Sequence, residues 1–340
     1  MLDILLILFL SLGPMLLYAV VLWWFDRYEK EPLPLLIAAF LWGAVPSIIL
    51  ALIFEIILDI PIVAISPNQL TYDLLGASVV APLAEEGVKA LALLILLVLL
   101  RREIDSPMDG LIYGGIVGFG FAAVENIFYL FGAYTEEGMG GVLFLAFLRA
   151  GLFGLNHAMY TGFTGLGIAL SLEVRNKGLK MVWIVVGFGM AMLTHALHNA
   201  FATFTGYSEG FLPLVIAAIL DWGGILFMLV IAIWAFFLER KRIIAYGEAL
   251  AKLDIIPRAE IEILKSTWQR RLARLKMLFS GNIKGWWTIN RYHLKVTEAA
   301  FAWHRMNHSD PKAQKNLIVL EQQFQTLRKQ LVPDAHAVVK

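Results

Sequence analysis

The 340-residue chain contains no cysteine. A disulfide framework, a thiolate nucleophile and every Cys-ligated metal site are thereby excluded, so any catalysis has to draw on other groups. Charge is scarce as well. Asp, Glu, Lys and Arg together make up 16% of residues against 59% hydrophobic, with a mean hydropathy of +0.72, a balance that belongs in a bilayer. The formal net charge of +1 conceals a division along the chain. Residues 1–238 hold 9 Lys/Arg against 18 Asp/Glu, a net of −9, and residues 239–340 hold 19 against 9, a net of +10.

Seven hydrophobic stretches are long enough to cross about 30 Å of hydrocarbon as helix: Leu2–Trp24, Pro34–Leu58, Leu74–Leu100, Leu111–Phe131, Val142–Leu170, Met181–Phe204 and Phe211–Leu238. Their connections alternate in basic content. Arg27 and Lys30, Arg101 and Arg102, Arg175, Lys177 and Lys180, and Arg240, Lys241 and Arg242 follow spans one, three, five and seven, while the other connections carry no Lys or Arg. The positive-inside rule then places the N-terminus outside and the C-terminus in the cytoplasm. The first span has no basic n-region and is too long for a signal-peptide core, so it reads as an uncleaved helix. The expected fold is all-α: a seven-span polytopic membrane domain, residues 1–238, and a basic cytoplasmic helical tail, residues 239–340.

In the tail, apolar residues recur at helical steps in three sets. They are Ile261, Leu264, Trp268, Leu272, Leu275 and Phe279; Ile289, Tyr292, Val296, Ala299 and Trp303; and Ala313, Leu317, Leu320, Phe324, Leu327 and Leu331. Mutual packing of these stripes as a small bundle is the first expectation. The alternative is that the basic helix carrying Arg270, Arg271, Arg274 and Lys276 lies on anionic lipid, and a protein partner is also open to the tail. His304 and His308 are four apart, but no Glu follows His304 as a zinc-protease helix requires.

Charged side chains inside a span are costly and usually face a protein interior. Glu85, Glu86 and Lys89 fall near the middle of span three, Glu125 and Asn126 in span four, His157 in span five, and His195, His198 and Asn199 in span six. With the spans alternating in direction, all lie near one membrane depth. Gly110, Gly114, Gly118 and Ala122 form a small-residue stripe that should bring span four into close contact with its neighbours. Pro82 should open span three beside the carboxylates. Glu85 and Lys89, four residues apart, also fit a buried ion pair; two adjacent carboxylates are harder to explain that way. Arg149 and Asp221 are read as structural, pairing with each other or with Glu125.

Glutamate, histidine and asparagine without cysteine match two hydrolytic designs. In one, His157 and His195, with a glutamate, hold zinc that acidifies water. In the other a glutamate takes a proton from water, and His and Asn donors stabilise the oxyanion. Neither His-Glu-x-x-His nor Gly-x-Gly-Asp occurs, and Ser78 lacks the glycine that follows a rhomboid-type serine. A proton-coupled transporter using the Glu/His cluster as a relay is the alternative from another class, although no internal repeat is evident.

Four motifs on successive spans resemble the PrsW family of intramembrane proteases, relatives of the CAAX prenyl endopeptidases and the bacteriocin-processing membrane proteases. They are Glu85-Glu86-Gly87-Val88-Lys89, Phe121-Ala122-Ala123-Val124-Glu125-Asn126, His157, and His195-Ala196-Leu197-His198-Asn199, within residues 74–204. The resemblance implies an endopeptidase acting on a membrane-associated protein in the cell membrane, with anti-sigma factors as a substrate class and no nucleic acid involved. It implies Glu85, Glu86, His157, His195 and Asn199 as catalytic and Lys89, Glu125, Asn126 and His198 as supporting. By the same resemblance His157 and His195 bind a metal or polarise water, and Asn199 holds the oxyanion. The prenyl endopeptidases have Phe-x-x-x-His where this chain has Phe121-x-x-x-Glu125, and a carboxylate there adds Glu125 as a metal-ligand candidate.

Overall fold

Apolar runs interrupted by proline dictate the helices of the membrane part. The computed structural model describes residues 1–335, which form helices joined by short turns, with no strand among the described residues. Helix α1 is Leu2–Phe25. Helix α2, Leu33–Trp42, passes through a π turn at Gly43–Ser47 into α3, Ile48–Ile65. That widened turn contains Pro46, which has no N–H to give to an α-helical ladder. Helix α4, Gln69–Leu75, is N-capped by Asn68 and leads through a second π turn, Gly76–Val80, into α5, Ala81–Leu99. Helix α6, Pro107–Ala146, starts at a capping box formed by Ser106 and Asp109, which satisfies the orphan N–H groups of its first turn. A third π turn, Phe147–Leu152, precedes α7, Asn156–Leu172, followed by α8, Lys177–Thr205, and α9, Leu212–Lys252.

Among the described residues, five helical stretches are long and apolar enough to cross a membrane: Leu2–Phe25, Leu33–Ile65, Pro107–Leu172, Lys177–Thr205 and Leu212–Lys252. The 66-residue stretch Pro107–Leu172 contains two of the expected spans, because its backbone leaves the helix at Gly138 (φ 67°) and widens at Phe147–Leu152. The expected span Leu74–Leu100 corresponds to the second π turn and α5, whose Glu85, Glu86 and Lys89 set it apart from the purely apolar helices. The chain is an all-α polytopic membrane protein, as its composition led one to expect.

By contacts the chain divides into two compact units. The first comprises residues 1–25, 31–171 and 178–232, and α6 is its centre. From Pro107 to Ala123 every residue of α6 is buried. The expected small-residue stripe explains this. A Cβ added at Gly110, Gly114 or Gly118 would stand 2.3, 2.5 or 2.2 Å from the carbonyl oxygens of Gly165, Thr161 and His157 on α7, so the two backbones touch where only hydrogen fits. On another face of α6, a Cβ at Gly120 would meet the Phe40 carbonyl of α2 at 2.0 Å.

The second unit comprises residues 26–30, 172–177 and 233–340, of which 336–340 lie outside the described residues. The predicted cytoplasmic tail thus shares a unit with two connections also predicted to be cytoplasmic, as segments on one side of a bilayer must. Its helices α10, Arg258–Leu264, α12, Ile283–His308, and α13, Gln314–Ala335, pack around Tyr246, Leu264, Tyr292, Val296, Phe301 and Phe324, while α11, Thr267–Phe279, sets Ala273 and Met277 against Ile289. Two of the three predicted stripes face this core. The third departs from expectation: Ile261 and Leu264 are buried, but α11 buries Arg270, Ala273 and Met277, leaving Trp268, Leu272 and Phe279 exposed. The cause is Arg270. Its guanidinium donates to the carbonyls of Leu264 and Tyr28 and to Thr297 Oγ1 at 2.7, 3.3 and 2.9 Å, and these bonds rotate the apolar stripe outward.

Candidate active site

Pro82 shapes the first wall of the site. It has no N–H, and the Ala81 N–H goes to the Gly76 carbonyl across the π turn, so the Ala77 carbonyl is left over from the helix ladder. Asn199 Nδ2 on α8 donates to it at 2.8 Å. The opened span expected at Pro82 is therefore closed by the very asparagine that the resemblance assigned to an oxyanion.

One turn later the two glutamates part company. Glu86 is fully buried: its Oε2 accepts from Thr161 Oγ1 at 3.0 Å, and its Oε1 accepts from Lys89 Nζ at 2.8 Å and lies 3.2 Å from His195 Nδ1. Glu85 lines a cavity of about 600 Å³, within the usual range of ligand sites. The Lys89 ammonium, wholly buried above the Phe121 ring, also donates to Glu85 Oε2 and to His157 Nδ1, both at 3.0 Å.

These bonds set the proton on each imidazole. An ammonium has donors only, so His157 Nδ1 is an acceptor and its Nε2–H points to Glu125 Oε2 at 2.9 Å. Glu86 Oε1 receives the His195 Nδ1 proton, leaving Nε2 bare. The two unprotonated ring nitrogens, of which His157 Nδ1 is held by Lys89, lie near one oxygen: Glu85 Oε2 is 4.0 Å from His157 Nδ1 and 3.9 Å from His195 Nε2. His195, tied through one nitrogen to a carboxylate and open at the other, has the arrangement seen around metal ions, and His157 takes it up once Lys89 releases Nδ1. One ligand atom from each of Glu85, Glu86, His157 and His195 lies within 4.8 Å of the others, somewhat wider than the roughly 3.4 Å edge of a tetrahedral zinc site with bonds of about 2.0–2.1 Å. The donor set fits a metal ion after small side-chain rotations, with Lys89 giving up its bond to His157.

The remaining predicted residues surround this centre. Glu125 is held by Arg149 Nη2 at 2.5 Å as well as by His157, and Arg149 Nε donates to Asn126 Oδ1 at 2.8 Å. Asn126 Nδ2 is buried, has no partner and belongs to a cavity-lining residue. His198 Nδ1 lies 2.6 Å from Asp221 Oδ2, which also accepts from Asn156 Nδ2 at 2.9 Å. Of the two pairings expected for Arg149 and Asp221, the structure makes Arg149 with Glu125 and gives Asp221 to His198. Sequence reading missed Tyr160, stacked on the His195 ring at 4.6 Å, Thr161 beneath Glu86, and Glu55 on the cavity wall. Glu55 had a signal, a carboxylate inside an expected span; the other two had none.

The family described as "PrsW family intramembrane metalloprotease" matches residues 31–238. The chain is 29% identical to Protease PrsW of Clostridioides difficile (strain 630) over 197 residues, 58% of this chain and 79% of that protein. It is 28% identical to Protease PrsW of Geobacillus kaustophilus (strain HTA426), covering 51% and 69% of the two chains, and 27% identical to that of Bacillus subtilis (strain 168), covering 52% and 74%. No solved structure matches. The transporter alternative is not favoured, since the polar groups gather on one cavity and the relatives are proteases. With three helices bringing Glu and His to a metal-competent centre inside an apolar bundle, and a match that runs from the second span to the seventh, the chain belongs to the PrsW family of intramembrane metalloproteases.

Proposed function

We propose that the chain hydrolyses a peptide bond of a membrane-anchored protein at the cell membrane, anti-sigma factors being the substrate class, with the chemistry centred on Glu85, His157 and His195. One observation carries this assignment. Each histidine gives one ring proton to a carboxylate and has its unprotonated nitrogen about 4 Å from Glu85 Oε2 on the cavity wall, that of His157 also accepting from Lys89. His157 and His195 would hold the metal, which supplies Lewis-acid chemistry, lowering the pKa of water and polarising the scissile carbonyl. Glu85 takes the proton from the attacking water and passes it to the leaving amine. Glu86 and Glu125 fix the two imidazoles. Lys89 offsets the charge of the paired carboxylates. Asn126, with a spare buried amide N–H, donates to the developing oxyanion, alongside Asn199 if substrate binding releases it from Ala77. The His198–Asp221 pair is a positioned imidazole on the same cavity that hydrogen-bonds the departing amine as Glu85 protonates it.

Support for the cytoplasmic placement of the tail, residues 239–340, comes from the Lys/Arg pattern of the connections. The test is reconstitution of the purified full chain with a single-span substrate. Glu85→Gln should keep its bound metal and lose about 10²–10⁴-fold in cleavage rate, while His157→Ala and His195→Ala should lose both metal and cleavage. Undiminished cleavage by Glu85→Gln, or by protein verified free of metal, would overturn the assignment.

A further inference from the structure

The outward face of α11 and the turn into α12 present large apolar groups to solvent. Phe279 is 84% exposed, Ile283 68%, Trp268 63% and Trp287 55%. Interleaved with them are exposed Arg271, Lys276, Lys284 and Arg291, the last with its guanidinium 4.6 Å above the Trp287 ring. Between Glu262 and Glu298 the sequence has eight Lys/Arg and no acidic residue. The exposure is built in, because Arg270 fixes the rotation of α11 through three hydrogen bonds to its own unit and Ala273 and Met277 fill the packed side. Helix α11 is therefore apolar on two faces, of which the tail uses one.

We propose that the second face is a docking surface for anionic phospholipid headgroups, with Trp268, Phe279, Ile283 and Trp287 seated at the bilayer interface. Charge complementarity chooses this occupant. Tryptophan and long aliphatic groups among Lys and Arg match the headgroup region, where the ring lies at the apolar boundary and the cations meet lipid phosphates. A protein partner of matching chemistry would have to be strongly acidic and apolar at once; the anionic leaflet is both. The tether is equally direct. Helix α9 runs from the membrane-spanning part through Lys252 without interruption, so the patch stays at high effective concentration near a membrane surface.

The absence of native cysteine gives a clean test on the full chain. Phe279→Cys and, as a control, the exposed Gln323→Cys on α13 would carry nitroxide labels in nanodiscs of pure phosphatidylcholine or of phosphatidylcholine with phosphatidylglycerol. Collisions of the label at 279 with a water-soluble paramagnetic relaxer should fall several-fold, and those with oxygen rise, only in the anionic discs. Replacing Arg271, Lys276 and Lys284 with Glu should abolish the difference, and the label at 323 should stay aqueous throughout. A label at 279 that is equally aqueous in both lipids overturns the proposal. So does one equally shielded in both lipids and in the charge-reversed variant, which would mean that protein covers the face.

Discussion

The bonding of the polar side chains at the site assigns them different tasks. Glu86 accepts on both oxygens, and Glu125 Oε2 takes both Arg149 and His157, whereas Glu85 accepts from Lys89 and lines the cavity. Glu125→Gln should therefore behave unlike Glu85→Gln. Losing the acceptor for the His157 Nε2–H should weaken metal binding or activity by about 10–100-fold, read by metal titration beside the cleavage rate; an unchanged metal affinity would remove Glu125 from this role. Asp221→Asn should leave metal binding intact and lower kcat with little change in KM, because Asp221 acts on His198 and not on the metal candidates. Much of this was legible in the sequence, since Glu85, Glu125, His157 and His195 stand out as ionisable groups in apolar runs. The division of labour between adjacent glutamates was not. Which of two neighbours on a helix faces the cavity depends on the π turn at Gly76–Val80 and on Thr161, a residue with no signal of its own.

The contact between α6 and α7 sets the site's dimensions. His157 and Glu125 meet because the glycine stripe lets the α7 backbone lie directly on α6, with the His157 carbonyl against Gly118. Gly118→Ala should force the helices apart at that point, costing about 1–3 kcal/mol by overpacking and moving His157 off Glu125. A lowered Tm together with lost cleavage would be seen, whereas Gly132→Ala, with open space at its Cβ, should change neither. The stripe was readable from its four-residue spacing. The outward rotation of α11 was not, because periodicity identifies an apolar face without saying what it faces. A buried arginine bonded to two carbonyls outweighed the stripe's preference for the core.

Across the whole molecule, charge is handled differently in the two units. In the second unit His293 is buried with no partner for Nδ1, and burial together with Arg270 and Arg274 pushes its imidazole well below the usual range. It stays neutral in the folded state while the unfolded chain takes up a proton below about pH 6.5. The stability this confers is complete above that pH and declines as pH falls through it, by at most about 1.4 kcal/mol per pH unit for one proton. Protection of α12 amides in the full chain, measured against the intrinsic exchange rate at each pH, should fall between pH 7.5 and 5.5, and less so in His293→Gln; identical profiles would rule out this group. In the membrane unit, α5 balances charge within one helix. Lys89 bonds Glu85 and Glu86 one turn away on the same α5, so the segment carries its own counter-ion before any other helix arrives. Biogenesis follows from that. An insertase meets a helix with one net negative charge in place of three unpaired ones, and α5 can enter the bilayer ahead of the histidines contributed by α7 and α8, whose later docking completes the centre.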